Sequence, residues 1–518
     1  MVGLIILRLN FGLLHCVRND RKGLLHCVRN DILSYMSLGA AVAKNTIIQV
    51  GGKLVGTVLG LVTISIMTRH LGAAGYGDFT TAMSFLQVFG TIVDFGLTLT
   101  MLTMLSKPGA DEDKVASNIV TLRVISGVLF MALAPIVALA FPYSGAVKTS
   151  ILIGTMSFLA ITMTQVMSSI FQRHLRGWTS AMIEMLGRAA LLGMMVWVIA
   201  SGRGLIAAVV AVTLSNVAQV VLSFVFARGL VRLRPAFDLS LWREVVRDSW
   251  PVGVSIMFNL IYLKGDVIIM SLYRSSAEIG LYGAAYKVLD VLTVIPVIFM
   301  GALTPHLTAS WHGGDRGTFA RRLRLAFDAL SMMAIPLAIG AVAVSRDVMV
   351  LVSGAEYAEA GKYLAILIFG AAAVFWNALF NFTIVALGMQ KKMILAFAID
   401  ALLSLGLYFA FVPIYGAVAA AWVTVFSEVL IAVIAMVVAT MKTGVRVGCG
   451  IFVRALGASG VMYVALVSFA DAPVLVRIGI GVAVYFVVLW AIGGLRKEFV
   501  IAITKKATRP NSPLVGVK

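Results

Sequence analysis

Residues 75–82, Gly-Tyr-Gly-Asp-Phe-Thr-Thr-Ala, align without gaps on residues 278–285, Glu-Ile-Gly-Leu-Tyr-Gly-Ala-Ala. Gly77 falls on Gly280, Phe79 on Tyr282 and Ala82 on Ala285. A second ungapped match sets Gly204-Leu205-Ile206-Ala207-Ala208 beside Gly416-Ala417-Val418-Ala419-Ala420 and runs on to Ser215 beside Ser427. The two matches keep their order, at offsets that differ by about nine residues, as a duplicated chain predicts. Each match opens an apolar run, where small residues let helices approach closely.

The surrounding composition says what those helices sit in. Hydrophobic residues make up 60% of the 518 positions and charged residues only 13%, against about 25% charged in soluble domains. A water-soluble globule is excluded. A spanning helix needs about 20 mostly apolar residues, because backbone polar groups cannot stay unpaired in hydrocarbon. Such stretches fall at 44–67, 79–105, 116–140, 149–171, 179–200, 205–227, 249–271, 280–304, 323–344, 360–387, 391–411, 416–440, 454–470 and 474–493. The short, weak runs near 205 and 454 keep twelve spans open as an alternative. The expected fold is an all-α polytopic membrane protein of about 14 transmembrane helices, two six-helix repeat lobes plus two C-terminal helices. The lobes divide as 36–230 and 249–445, joined by a basic amphipathic linker at 231–248. Helices 13 and 14 follow in 446–495, and a basic tail in 496–518.

A net charge of +19 would suggest nucleic acid in a soluble protein, but here placement matters more than sum. With the start of the first helix inside, the inside connections hold about 25 Lys and Arg, against about seven outside. Both termini are therefore expected in the cytoplasm, and no nucleic-acid partner is implied. The basic clusters read first as topology signals and second as a surface for anionic lipids.

Residues 12–20, Gly-Leu-Leu-His-Cys-Val-Arg-Asn-Asp, recur unchanged at 23–31. Paired His-Cys dipeptides suggest a metal clip, but identical blocks in tandem fit a translated DNA repeat better. Residues 1–35 are thus expected to be a non-native leader with Met36 as the start. Cys449 then stands alone, and neither a disulfide within the chain nor a metal is expected.

An ionisable group at mid-bilayer costs on the order of 2.5–3.5 kcal/mol on insertion scales, so each normally faces a cavity or a partner. In the first helix Asn45, Gln49 and Lys53 form a polar stripe at i, i+4 and i+8, with Gly52, Gly56 and Gly60 as a small ridge beside it. This reading puts Lys53 in the lumen near mid-depth. Lys53 and Lys287 are the preferred contacts for an anionic headgroup, with Lys264 and Arg123 behind them. The structural alternative is pairing: Lys287 with Asp290 at i, i+3 and Glu184 with Arg188 at i, i+4. Asp94, Asp266, Asp290, Asp400 and Glu428 either make such structural contacts or bind protons or sodium ions as coupling carboxylates. Gly51-Gly52-Lys53-Leu54 lacks the first glycine and the hydroxyl of a phosphate-binding loop. No large loop offers a catalytic cleft, so an enzyme is not expected.

Several motifs carry a family resemblance: Lys44-Asn45-Thr46, Thr68-Arg69-His70-Leu71-Gly72 followed by Gly75-Tyr76-Gly77, and Asp94-Phe95-Gly96-Leu97. The second half adds Lys264-Gly265-Asp266, Ile279-Gly280-Leu281-Tyr282, Ala284-Ala285-Tyr286 and Gly416-Ala417-Val418-Ala419-Ala420. Over about residues 40–440 the sequence resembles the polysaccharide exporters or O-antigen (Wzx-type) flippases, within the multidrug, oligosaccharidyl-lipid and polysaccharide exporter superfamily. Ala73-Ala74 departs from the Pro and acidic residue common in that family. The resemblance implies two MATE-like six-helix bundles around a cationic cavity in the bacterial inner membrane. It further implies passage of polyprenyl-pyrophosphate-linked oligosaccharide to the outer leaflet for cell-surface polysaccharide such as lipopolysaccharide. Membrane lipids, a polysaccharide polymerase and chain-length machinery are the implied partners, with no cofactor beyond proton or sodium coupling. A cation-coupled multidrug antiporter and a non-transporting subunit of an assembly complex are the rival readings.

Overall fold

The computed structural model describes residues 21–494, with side chains described from Ile48 onward except at 50, 251–252, 255 and 259–263. The sequence block at 12–20 and the tail at 496–518 lie outside the described residues, as do the side chains of the 23–31 block. Every regular element within that range is helical. The first half comprises α1 (Arg21–Asp94), α2 (Leu97–Leu105), α3 (Glu112–Leu139), α4 (Gly145–Arg173), α5 (Gly177–Ala200) and α6 (Leu205–Ala227). The second comprises α7 (Leu239–Tyr273), α8 (Ser276–His312), α9 (Arg316–Ser353), α10 (Ala360–Ala386), α11 (Lys391–Tyr415) and α12 (Ala417–Thr443), followed by α13 (Gly450–Ser468) and α14 (Val474–Ala491).

Among the described residues, 12 stretches are long and apolar enough to cross a bilayer. The first of them, Gly51–Leu105, is 55 residues long, far more than the roughly 20 that one crossing needs. It is cut at Gly72, where φ 66° and ψ 176° are open to glycine and strained for other residues. Counting both sides of that break, together with α7, gives fourteen crossing segments.

Helix partnerships recur at an interval of six crossings. The first crossing, α1 before Gly72, packs on α5 as α7 packs on α11. The second, α1 after Gly72, packs on α4 as α8 packs on α10, and α4 meets α6 as α10 meets α12. This is the pattern a duplicated six-helix unit produces. The last two helices dock on α9: buried Arg477 of α14 pairs with Asp347 and donates to the Ala343 carbonyl at 3.1 Å.

The segment between the lobes has two parts. Residues 239–248 form the first turns of α7, capped by Asp238, which accepts from the Ser240 and Leu241 amides at 3.0 and 3.1 Å. Only the preceding segment is extended, and side chains of α3 bind it on alternate amides. Arg232 N donates to Asp113, Arg234 N to Ser117, Ala236 N to Thr121 and Asp238 N to Asn118, all at 2.8–3.1 Å. Hydropathy alone reads this stretch as one amphipathic segment, because the cap and the alternating bonds leave no apolar signature.

One end of the molecule is closed by the repeat itself. After the Gly72 break α1 crosses α8 so tightly that a Cβ on Gly77 would overlap the Ser276 carbonyl, and one on Gly280 would overlap that of Ala73. Ala73 and Ser276 are themselves repeat equivalents, so the contact is reciprocal about a local two-fold axis. Around it Ser276 Oγ donates to Asp78 at 2.5 Å, Arg69 to the Leu351 carbonyl at 2.7 Å, and Tyr357 Oη to the Thr68 carbonyl at 3.3 Å. Backbone atoms bar the added carbon, so the helices must separate to admit it. Gly280→Val is therefore expected to raise the labelling rate of a cysteine placed at Asp78 by a membrane-impermeant maleimide at least severalfold. An unchanged rate would contradict the glycine closure.

Candidate functional site

The polar stripe of the first crossing faces α5 and the second lobe. Its glycine ridge is used as packing surface: Gly52 meets Ala181, and Gly56 and Gly60 make room for the Arg188 side chain. Gly177, at the first turn of α5, leaves space that the Gln49 amide occupies. Gln49 and Lys53 then line a cavity of about 230 Å³ with Ser180 and Glu184 of α5 and Ile298 of α8. Residues of both lobes therefore meet at Lys53. Among the described residues, Lys53 has no carboxylate within salt-bridge distance. The side chain of Asn45 lies outside the described residues.

Lys53 lies well down the first crossing from the Gly72 break. Roughly 28 Å of helix separate it from the Gly72 break at 1.5 Å per residue, close to the full thickness of a hydrocarbon core of about 30 Å. Lys53 thus lies toward the end of the first crossing opposite the Gly72 break. Periodicity fixes the face of a helix on which the stripe lies and leaves its height unset.

The other cations have partners. Arg123, with 0% side-chain exposure, pairs with Asp94 at 2.8 Å and donates to the carbonyls of Val93 and, at 3.2 Å, Thr162. Thr98 also donates to Asp94, at 2.7 Å. Arg123 therefore ties α1, α3 and α4 together and stands apart from the Lys53 cavity. Lys287 pairs with Asp290 at 3.1 Å, both about 40% exposed (42% and 41%), and Lys264 Nζ lies 4.4 Å from the Tyr286 ring centre. Arg188 bonds Glu184 at 2.8 Å.

Acids in the second lobe take hydroxyl and amide partners. Asp266 accepts from Tyr282 Oη and from the Val267 amide, both at 2.7 Å. Asp400 accepts from Ser427 at 2.6 Å and Ser404 at 3.4 Å, and Glu428 from Asn377 at 3.0 Å. Tyr282 and Tyr408 share Thr424, at 3.3 and 3.1 Å. All three acids are buried, and neither Asp400 nor Glu428 has a salt-bridge cation among the described residues.

Removing one member of a buried pair leaves an uncompensated charge, which costs about 3–5 kcal/mol. Arg123→Met is expected to lower thermal stability in detergent by an amount in that range, and adding Asp94→Asn should recover part of it. A neutral single substitution would show that the pair is not structural.

The comparisons with known proteins agree with this architecture. A family described as polysaccharide biosynthesis protein matches residues 42–311, more than half of the chain. The succinoglycan biosynthesis transport protein ExoT of Rhizobium meliloti (strain 1021) is 24% identical over 325 residues, which span 60% of this chain and 62% of that relative's length. Among solved structures, the lipid II flippase MurJ in an inward closed conformation aligns with a TM-score of 0.70 at 15% identity, covering 89% of this chain and 100% of that one. An inward-facing multidrug resistance MATE family transporter of the MOP superfamily aligns at 0.63 with 12% identity, covering 77% and 98%. At such identities the structural matches establish the fold: a multi-pass membrane protein of the MurJ and MATE type. With its duplicated helices, its lobe-spanning cavity and the family match over 42–311, the chain belongs to the polysaccharide biosynthesis protein family.

Proposed function

We propose that the protein translocates polyprenyl-pyrophosphate-linked oligosaccharide across the bacterial inner membrane by alternating access, without enzymatic activity. The observation that carries the reading is Lys53, a cation without a salt bridge among the described residues, in a cavity lined by both lobes, while the other membrane cations named above have partners. A pyrophosphate leaving water needs its charge met, and a lysine ammonium is an effective point charge for it. The sugars are equally costly to bare in hydrocarbon, whereas the polyprenyl tail is not. The protein need only shield the head while the lobes rock about the closed end. In this account Lys53 makes the first contact at the cytoplasmic mouth, in line with the excess of Lys and Arg on that side. Lys287 keeps its Asp290 partner in this state.

Reconstitution in liposomes with a fluorescent polyprenyl-pyrophosphate oligosaccharide tests the reading. The wild type should move the probe between leaflets, and Lys53→Ala should slow transfer about tenfold or more. Lys53→Arg should retain most of it. Folded wild type that leaves the probe in place and instead drives out a cationic dye would identify a multidrug antiporter. Folded wild type that moves neither would fit a subunit of an assembly complex.

The buried acids of the second lobe support ion coupling of the same cycle. A carboxylate held at membrane depth by hydroxyl and amide groups alone favours binding a proton or a sodium ion. Asp400→Asn is expected to leave exchange of the probe running while abolishing its acceleration by a proton or sodium gradient. Retained acceleration would remove Asp400 from the coupling step.

A further inference from the structure

The cavity at Lys53 does not end at Glu184. Ser180 and Glu184 also line a second cavity of about 510 Å³ within the first lobe, between α4, α5 and α6. Pockets for small ligands run from about 300 to 1,000 Å³. Its wall presents Gln165 and Ser168 from α4, the Glu184–Arg188 pair from α5, and Asn216 and Gln219 from α6.

Uncharged amides and hydroxyls inside a membrane bundle are costly unless they are bonded or wet. Some here bond one another: Asn216 Nδ2 donates to Ser157 at 2.7 Å, and Gln219 Nε2 to Asn216 Oδ1 at 3.1 Å. Others keep capacity in reserve. The buried Ser180 Oγ has no hydrogen-bond partner among the described residues, and both Arg188 bonds fall on one oxygen of Glu184, Oε1.

The second lobe shows what the same helices do when no cavity is kept. At the ungapped spacing that sets Gly204 on Gly416, Gln165 corresponds to Asn377, Asn216 to Glu428, Ser168 to Phe380 and Gln219 to Ile431. There Asn377 bonds Glu428 directly at 3.0 Å, and Phe380 and Ile431 are fully packed at 1% and 0% exposure. One repeat closes this space with apolar side chains, while the other holds it open and polar.

The chemistry of the wall defines an occupant. Glu184 and Arg188 neutralise each other, so the pocket favours neither an anion nor a cation. Amides and hydroxyls both donate and accept, as sugar hydroxyls do, and Ile161 and Leu191 offer apolar surface to the C–H faces of a sugar ring. We propose that this first-lobe pocket binds the sugar next to the pyrophosphate, with Gln165, Ser180, Glu184 and Gln219 reading its hydroxyls. Lys53 holds the phosphate in the adjoining cavity. This assignment rests on the flippase reading given above.

The test measures affinity of the full chain in nanodiscs for polyprenyl pyrophosphate and for polyprenyl pyrophosphate carrying one glucose. Wild type should bind the glucosylated lipid at least tenfold more tightly than the bare one. Gln165→Leu and Gln219→Leu should each bring that ratio towards one. Because the ratio is taken within each variant, loss of folded protein does not imitate the effect. Lys53→Ala should weaken both lipids and preserve the ratio. A wild-type ratio of one, or pocket variants that keep the wild-type ratio, would overturn the sugar pocket while leaving the flippase reading intact. Wild type that binds neither lipid would overturn both.

Discussion

Two glycines set the closest approach between the lobes. At Gly77 and Gly280 the backbones of α1 and α8 meet where neither could carry a side-chain carbon, and each contacts the repeat equivalent of the other's neighbour. In a membrane there is little hydrophobic gain from bringing helices together, so close van der Waals packing and interhelical hydrogen bonds must supply the association. Ser276, Asp78, Arg69 and Tyr357 add those bonds around the glycines. The contact lies at one end of the fold and on a local symmetry axis. Lobes joined in this way can separate there and approach at the other end, where Lys53 lies.

The bilayer as solvent accounts for much of the remaining arrangement. Each ionisable group at depth has to meet a partner or a cavity, and the two lobes do so differently. In the first lobe, Arg123 and Asp94 lock three helices, and the Glu184–Arg188 pair borders open polar space. In the second, Asp266, Asp400 and Glu428 are held by Tyr, Ser and Asn within closed packing. One repeat thus keeps volume and the other keeps buried carboxylates.

Much of this was legible in the sequence, for identifiable reasons. Apolar runs of bilayer length gave the crossings, because internal satisfaction of backbone groups leaves helices few alternatives. The Gly77–Gly280 match, found only as a repeat, proved to be a physical contact, since equivalents near a two-fold axis touch each other. Pairings at i, i+3 and i, i+4, such as Lys287 with Asp290 and Glu184 with Arg188, follow from helix geometry. Pairs between helices do not: Arg123 with Asp94 and Arg477 with Asp347 depend on packing that no local pattern encodes. Periodicity fixes the face that Lys53 shares with Gln49 and leaves its height in the membrane unset. The first-lobe pocket carries little charge signature in the sequence, because Gln165, Asn216 and Gln219 are uncharged. Setting the two repeats side by side at those positions would have found it.

The most direct test of the account is a reversible lock at the closed end. Cysteines replacing Asp78 and Ser276, whose side chains meet at 2.5 Å, would be introduced with Cys16, Cys27 and Cys449 removed, and leaflet-to-leaflet transfer of a lipid-linked oligosaccharide followed in liposomes. Rocking lobes require that oxidation to the disulfide stop transfer and that reduction restore it. Transfer by the fully cross-linked protein at the rate of the reduced form would contradict alternating access through this fold.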